Sequence, residues 1–157
     1  TEQQEKLRTL FEAARKVGRE LLVEIIAGKN GPLTDDTIAT ALEELYALGI
    51  KPDWWKLEPQ ASSQAWKKID AVIAKNDPWC RGIVLLGLEA PADELISCFE
   101  ATLAAPSVKG FAVGRTIFAD PARAWLSGEI NDEEAIADMA GRFRQLTEAW
   151  LKTRGRH

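Results

Sequence analysis

Four short apolar segments, starting at residues 20, 53, 82 and 109, recur along the chain at intervals of roughly thirty residues. They read ELLVEIIA (20–27), DWWKLE (53–58), GIVLLGL (82–88) and KGFAVG (109–114). Two of them are nearly unbroken apolar runs, as expected of parallel strands covered on both faces. Parallel strands need a crossover between them, and each interval leaves room for one helix. This repeat narrows the fold to the α/β class.

Helical patterns fill the intervals. Residues 34–48 open with Thr34 as an N-cap and two acids in the first turn, and Gly49 closes them. Residues 62–75 carry Ala65, Ile69 and Val72 on one stripe and stop before Asp77-Pro78, while residues 92–104 run up to Pro106. Residues 131–152 begin with Asn131 and Glu134 at capping-box spacing. A further helix over about residues 2–17 precedes the first strand. Residues 1–157 therefore read as one α/β domain, a helix followed by four consecutive βα units.

Such a succession builds either a small doubly wound sheet or half of a (β/α)8 TIM barrel. A complete barrel takes about 250 residues, and this chain has 157. The leading helix has no strand before it and residue 1 is Thr, so we expect a fragment of a longer chain. An open half barrel exposes two strand edges and part of its core. It is expected to pair with another copy of itself or with the missing half barrel.

Composition excludes several chemistries. The one histidine is His157, which leaves no donor for serine–histidine or cysteine–histidine hydrolysis, histidine-ligated zinc or histidine acid–base catalysis. The two cysteines, Cys80 and Cys98, suit reduced thiols in a cytoplasmic protein better than a disulfide frame or a zinc knuckle. Twenty basic against 24 acidic residues give a net charge of −4 and argue against a general nucleic-acid binder. No apolar run approaches the length of a membrane span, so no membrane partner is expected. No metal or cofactor is expected either.

Chemistry must then come from Lys, Arg, Asp, Glu, Tyr or the backbone. In the second strand, alternation puts Lys56 and Glu58 on one face and Trp55 and Leu57 on the other. A lysine in so apolar a strand is costly unless it is paired, neutral or reactive. A neutral amine can attack a ketone to form a Schiff base. The structural alternative is a Lys56–Glu58 or Lys56–Glu24 ion pair. Glu24 interrupts the first strand in the same way, and could accept a hydroxyl proton or merely neutralise Lys56.

The last two strands end in Gly87 and in Gly114-Arg115. Glycine at a strand end lets a phosphate reach backbone amides, and an arginine adds a bidentate charge. Lys29, in the loop after the first strand, is a possible substrate contact. The remaining tryptophans, Trp66, Trp79, Trp125 and Trp150, read as packing residues rather than a stacking platform, being scattered without basic interleaving.

Taken together, Glu24 in ELLVEII, Lys56 in PDWWKLEP, the LLGL segment and GFAVGRTIF resemble the C-terminal half of a barrel aldolase. The resemblance is to the aldolase-like domain of bacterial myo-inositol catabolism, fused in relatives behind a sugar kinase as 5-dehydro-2-deoxygluconokinase. It extends more distantly to the class I tagatose-bisphosphate aldolases. It implies a metal-independent aldolase in which Lys56 forms the Schiff base, Glu24 accepts a proton, and Gly114 and Arg115 bind phosphate. The implied substrate is a phosphorylated keto-sugar acid, 5-dehydro-2-deoxygluconate 6-phosphate. Two other readings stand beside it. One is a phosphosugar isomerase or epimerase that uses Glu24 without a covalent lysine. The other is a non-catalytic half barrel from a kinase–aldolase fusion.

Overall fold

The four apolar segments form parallel strands that lie side by side in chain order. The computed structural model of the protein describes residues 1–155, so His157 lies outside the described part. The strands are β1 (Leu22–Ile25), β2 (Trp54–Leu57), β3 (Gly82–Leu86) and β4 (Val108–Ala112), hydrogen-bonded in the order β1-β2-β3-β4. Around them run α1 (Glu2–Lys16), α2 (Thr37–Ala47), α3 (Ser63–Asn76), α4 (Ala92–Ser97), α5 (Arg115–Leu126) and α6 (Asp132–Thr153). The α/β architecture read from the strand–helix repeat is the one observed.

Three of the six helices, α1, α3 and α6, begin at a side-chain cap. The Thr1 hydroxyl accepts from the Gln4 amide, Ser62 from Gln64 and Ala65, and Asn131 from Glu134, and each supplies an acceptor that a helix start otherwise lacks. At the far end of α2, Gly49 takes a positive φ of 77°, the left-handed turn that stops a helix.

One face of the sheet packs under the helices. Trp55, Leu57, Ile83 and Leu85 point to that side and are fully buried against Ile38 and Leu42 of α2, Ile69 of α3, and Leu95, Phe99 and Leu146 further along. Each such aliphatic side chain contributes about 1.5–3 kcal/mol on leaving water. Trp55 adds geometry to its area. Its indole donates to the Tyr46 hydroxyl at 2.8 Å, and the two rings meet edge to face. Burial pushes the Tyr46 phenol well above its ordinary pKa.

At the N-terminal end of the sheet, Asp53 ties three pieces together. Its carboxylate accepts from the Leu21 amide at 2.8 Å and from Arg15 of α1 at 3.1 Å. Burial would raise its pKa, but the Leu21 amide and the Arg15 guanidinium outweigh that and hold it below the usual carboxylate range.

Several expectations are corrected. Thr34 does not cap α2. The helix begins at Thr37, and the Thr34 hydroxyl lies 2.9 Å from that of Thr37 in the turn before it. The helix expected over 92–104 breaks after Ser97, and Glu100–Ala104 forms a separate 3-10 turn. Helix α5 was not legible, because Pro121 stands inside it and interior proline argues against a helix. Trp79 does not pack at all, being 88% exposed. Trp66 does, fully buried with its indole on the Gln60 carbonyl.

Candidate active site

Glu24 and Lys56 are register partners on β1 and β2, so the pleat aims both at the sheet's second face. Lys56 Nζ lies 3.1 Å from Glu24 Oε1, with the lysine side chain 24% exposed and the glutamate 38%. Of the two ion pairs open to Lys56, the fold forms this one. Lys56 is thus paired and partly solvated rather than enclosed. Its other neighbour on the same face is Val84 of β3.

Glu58 follows the last residue of β2 and takes a different path. It is 4% exposed, and its carboxylate accepts from the Ala27 amide at 2.7 Å and the Gly28 amide at 3.0 Å. Glycine at 28 leaves room for this contact, since a Cβ there would stand 2.8 Å from Glu58 Oε1 and push the carboxylate aside. Glu58 therefore fixes the loop that leaves β1, one turn beyond Glu24, and makes no ion pair with Lys56. Lys29 lies in that loop and lines the same groove as Glu24.

The other site residues gather at the ends of β3 and β4. A Cβ on Gly87 would stand 2.8 Å from Val113 Cγ1, and one on Gly114 would stand 3.1 Å from the Phe118 ring. Both glycines thus allow the end of β3, the end of β4 and the first turn of α5 to approach closely. Gly114 is the N-cap residue of α5 and Arg115 its first residue, which sets the positive end of the helix dipole beside the guanidinium.

Arg115 is ion-paired with Glu89, a residue the sequence reading did not single out. Leu88 and Glu89 both carry positive φ, 51° and 65°, in the loop after β3. Non-glycine residues held there cost of order 1–3 kcal/mol each and concentrate in functional loops. The Thr116 hydroxyl stitches the same loop to α5 by donating to the Ala90 carbonyl at 3.0 Å. The only sequence signal for Glu89 was a carboxylate just past a strand's C-terminal end.

The fold therefore places all six residues toward the C-terminal ends of the strands, but in two clusters. Glu24 and Lys56 sit on β1 and β2 with Glu58 just past β2, while Gly87 follows β3 and Gly114 and Arg115 follow β4. Among the described residues, no group of three His, Cys, Asp or Glu assembles as a metal site. No described helix is long and apolar enough to cross a membrane.

A four-stranded parallel sheet alternating with helices, with loops opening at its C-terminal ends, belongs to the α/β class. The chain belongs to the family described as "Uncharacterized protein conserved in bacteria (DUF2090)", whose model matches residues 1–154. No curated protein matches the sequence. Among solved structures, the chain is similar to fructose-bisphosphate aldolase from Plasmodium falciparum, crystallised with TRAP and a small-molecule inhibitor. The TM-score is 0.59 at 14% identity, over 88% of this chain and 46% of that one. That likeness is one of fold, and the chain spans less than half the length of the aldolase it matches.

Proposed function

We propose that this chain carries the imine-forming strands of a metal-independent aldolase that needs no cofactor. The substrate we assign is 5-dehydro-2-deoxygluconate 6-phosphate. Lys56 attacks its C5 ketone, and loss of water leaves an iminium that draws electrons from the neighbouring carbon. Glu24 takes the proton of the C3 hydroxyl as the C3–C4 bond breaks, releasing malonate semialdehyde. The remaining enamine on Lys56 is protonated at C4 and hydrolysed to glycerone phosphate. Such a route stabilises a carbanion with an amine and a carboxylate alone.

In this reading Glu58 is a positioning residue, holding the loop beside Glu24 through the Ala27 and Gly28 amides. Gly87, Gly114 and Arg115 receive the 6-phosphate, which displaces Glu89 from the guanidinium. The observation that carries the reading is the Lys56–Glu24 pair at 3.1 Å on adjacent strands.

Borohydride trapping tests it. The protein is incubated with glycerone phosphate, reduced, and weighed as an intact chain before peptide mapping. One adduct is expected, on Lys56, and absent from Lys56→Ala. A folded protein that gives no adduct, or an adduct that survives Lys56→Ala, overturns the proposal.

A further inference from the structure

The loop that leaves β1 carries an asparagine followed by a glycine, and Asn30 lines the same groove as Glu24 and Lys29. An Asn-Gly pair can react with itself, because the glycine amide nitrogen can reach the carbonyl carbon of the asparagine side chain. A fold prevents this by holding either group in place. The chain has three asparagines, so it supplies its own comparison.

Two of the three are held. Asn76 donates from its side chain to the Val72 carbonyl at 2.8 Å, and the next amide, that of Asp77, donates to the Ile73 carbonyl at 2.8 Å. Asn131 caps α6. Its side-chain oxygen accepts from the Glu134 amide at 3.0 Å, and its own amide donates to the Glu134 carboxylate at 2.9 Å. Each is followed by an aspartate, whose Cβ crowds the attacking nitrogen.

Asn30 has none of these restraints. It is exposed, and its side chain makes no hydrogen bond among the described residues. Its backbone amide donates to the Ala27 carbonyl at 2.9 Å, which anchors the turn just before the reacting pair. The Gly31 amide reaches the Gly28 carbonyl only at 3.5 Å, beyond the ordinary range of such a bond. Gly31 takes a φ of 147°, which glycine adopts without steric cost, and nothing stands within 4 Å of where a Cβ would lie. Nucleophile and target are both unrestrained, with open space around them.

We propose that Asn30 is a site of intramolecular deamidation, and that its isoaspartyl product loosens the loop that Glu58 holds. The Gly31 nitrogen bonds to the side-chain carbonyl carbon of Asn30, its proton passes to the departing Nδ2, and ammonia leaves. The resulting succinimide takes up one water and opens on either side of the Gly31 nitrogen. Breaking the new bond leaves aspartate. Breaking the original peptide bond leaves isoaspartate, whose main chain runs through the former side chain and is one methylene longer. Either product adds a negative charge next to Lys29 in a chain whose net charge is already −4. The longer main chain lies just past Gly28, whose amide holds the Glu58 carboxylate together with that of Ala27. This inference does not depend on the aldolase reading.

Ageing the full chain in mildly alkaline buffer tests it, with the free peptide IIAGKNGPLTDD as the unrestrained reference. Digestion after glutamate isolates residues 25–43 with Asn30 inside. Conversion is expected at Asn30, to aspartate and isoaspartate together, with one label taken up from heavy-oxygen water. Its rate is expected within about tenfold of the peptide's, which corresponds to a local opening cost below about 1.4 kcal/mol. Asn76 and Asn131 are expected to stay intact while the chain is folded, and Asn30→Gln to abolish the change. In the purified isoaspartyl form, the Ala27 and Gly28 amide hydrogens are expected to exchange faster. Asn30→Asp, which adds the charge without the methylene, is expected to leave them protected. A folded chain that converts more slowly than that tenfold limit, or that converts first at Asn76 or Asn131, overturns the proposal. An isoaspartyl form with unchanged exchange at Ala27 and Gly28 overturns the coupling to Glu58.

Discussion

The two faces of the sheet are made from the same four short strands and differ in nearly everything else. Toward the helices, Trp55, Leu57, Ile83 and Leu85 are all at 0% exposure. One residue along in β1 and β2, Leu22 is 45% exposed and the Lys56 side chain 24%, while Leu86 of β3 on the same face is still buried. Alternation alone separates them, because each step along a strand reverses the side chain. The first face supplies the burial that holds the fold. The second is left free to carry a lysine and a carboxylate, which a face packed under helices accommodates only at high cost.

If that division holds, the largest losses come from the covered face. Trp55→Ala is expected to cost about 3–5 kcal/mol, the range for deleting a buried large aromatic, read by chemical denaturation. The same variant leaves the Tyr46 hydroxyl without its indole donor. Tyr46 is the one tyrosine of the chain, so its phenolate absorbance is an unmixed signal. Because burial raises its folded pKa, the native protein holds the phenol protonated. Stability is then intact below the ordinary value of about 10 and falls as pH rises from there toward the folded value. An alkaline titration should show tyrosinate only as the fold opens, and an ordinary titration in the folded wild type would remove the enclosure argued for this face.

An intermediate effect is expected where the two faces meet the N-terminal end of the sheet. Asp53→Asn weakens the bonds to Arg15 and the Leu21 amide, at about 1–3 kcal/mol. The sign with pH is the reverse of Tyr46. The folded carboxyl lies below its usual value, so its contribution is present above about pH 3.9 and lost as pH falls through the folded pKa. Acid denaturation curves of wild type and Asp53→Asn should therefore converge at low pH. Curves that stay parallel would show that Asp53 is not held in its charged form by these partners.

The covered face was the more legible of the two. Apolar runs such as GIVLLGL carry their strand assignment in composition, and burial of Ile83 and Leu85 follows from alternation. The pairing of Glu24 with Lys56 was readable as far as residue type and strand order go. Its choice over Glu58 was not, because that depended on where β2 ends. One residue past Leu57 the backbone leaves the pleat, and Glu58 meets the Ala27 and Gly28 amides instead. Glu89 was invisible for a related reason, since its contact with Arg115 rests on two left-handed residues that no periodic pattern encodes. Helix α5 was lost to Pro121, whose buried ring the tertiary structure accommodates.

The smallest stability effect, and the one that separates the faces most cleanly, is expected at Lys56 itself. Lys56→Met keeps most of the side chain's length and removes only the charge. The pair with Glu24 is partly solvated, and ion pairs of that kind contribute about 0–1 kcal/mol. For a chain of this size, 1 kcal/mol corresponds to roughly 2–4 °C in melting temperature. The variant should therefore melt within a few degrees of wild type while losing all capacity for a reducible adduct. A stability loss as large as that of Trp55→Ala would mean that Lys56 belongs to the scaffold, and that the open face is a second core awaiting its cover. Near-neutral stability with the adduct gone would place chemistry and stability on opposite sides of one four-stranded sheet.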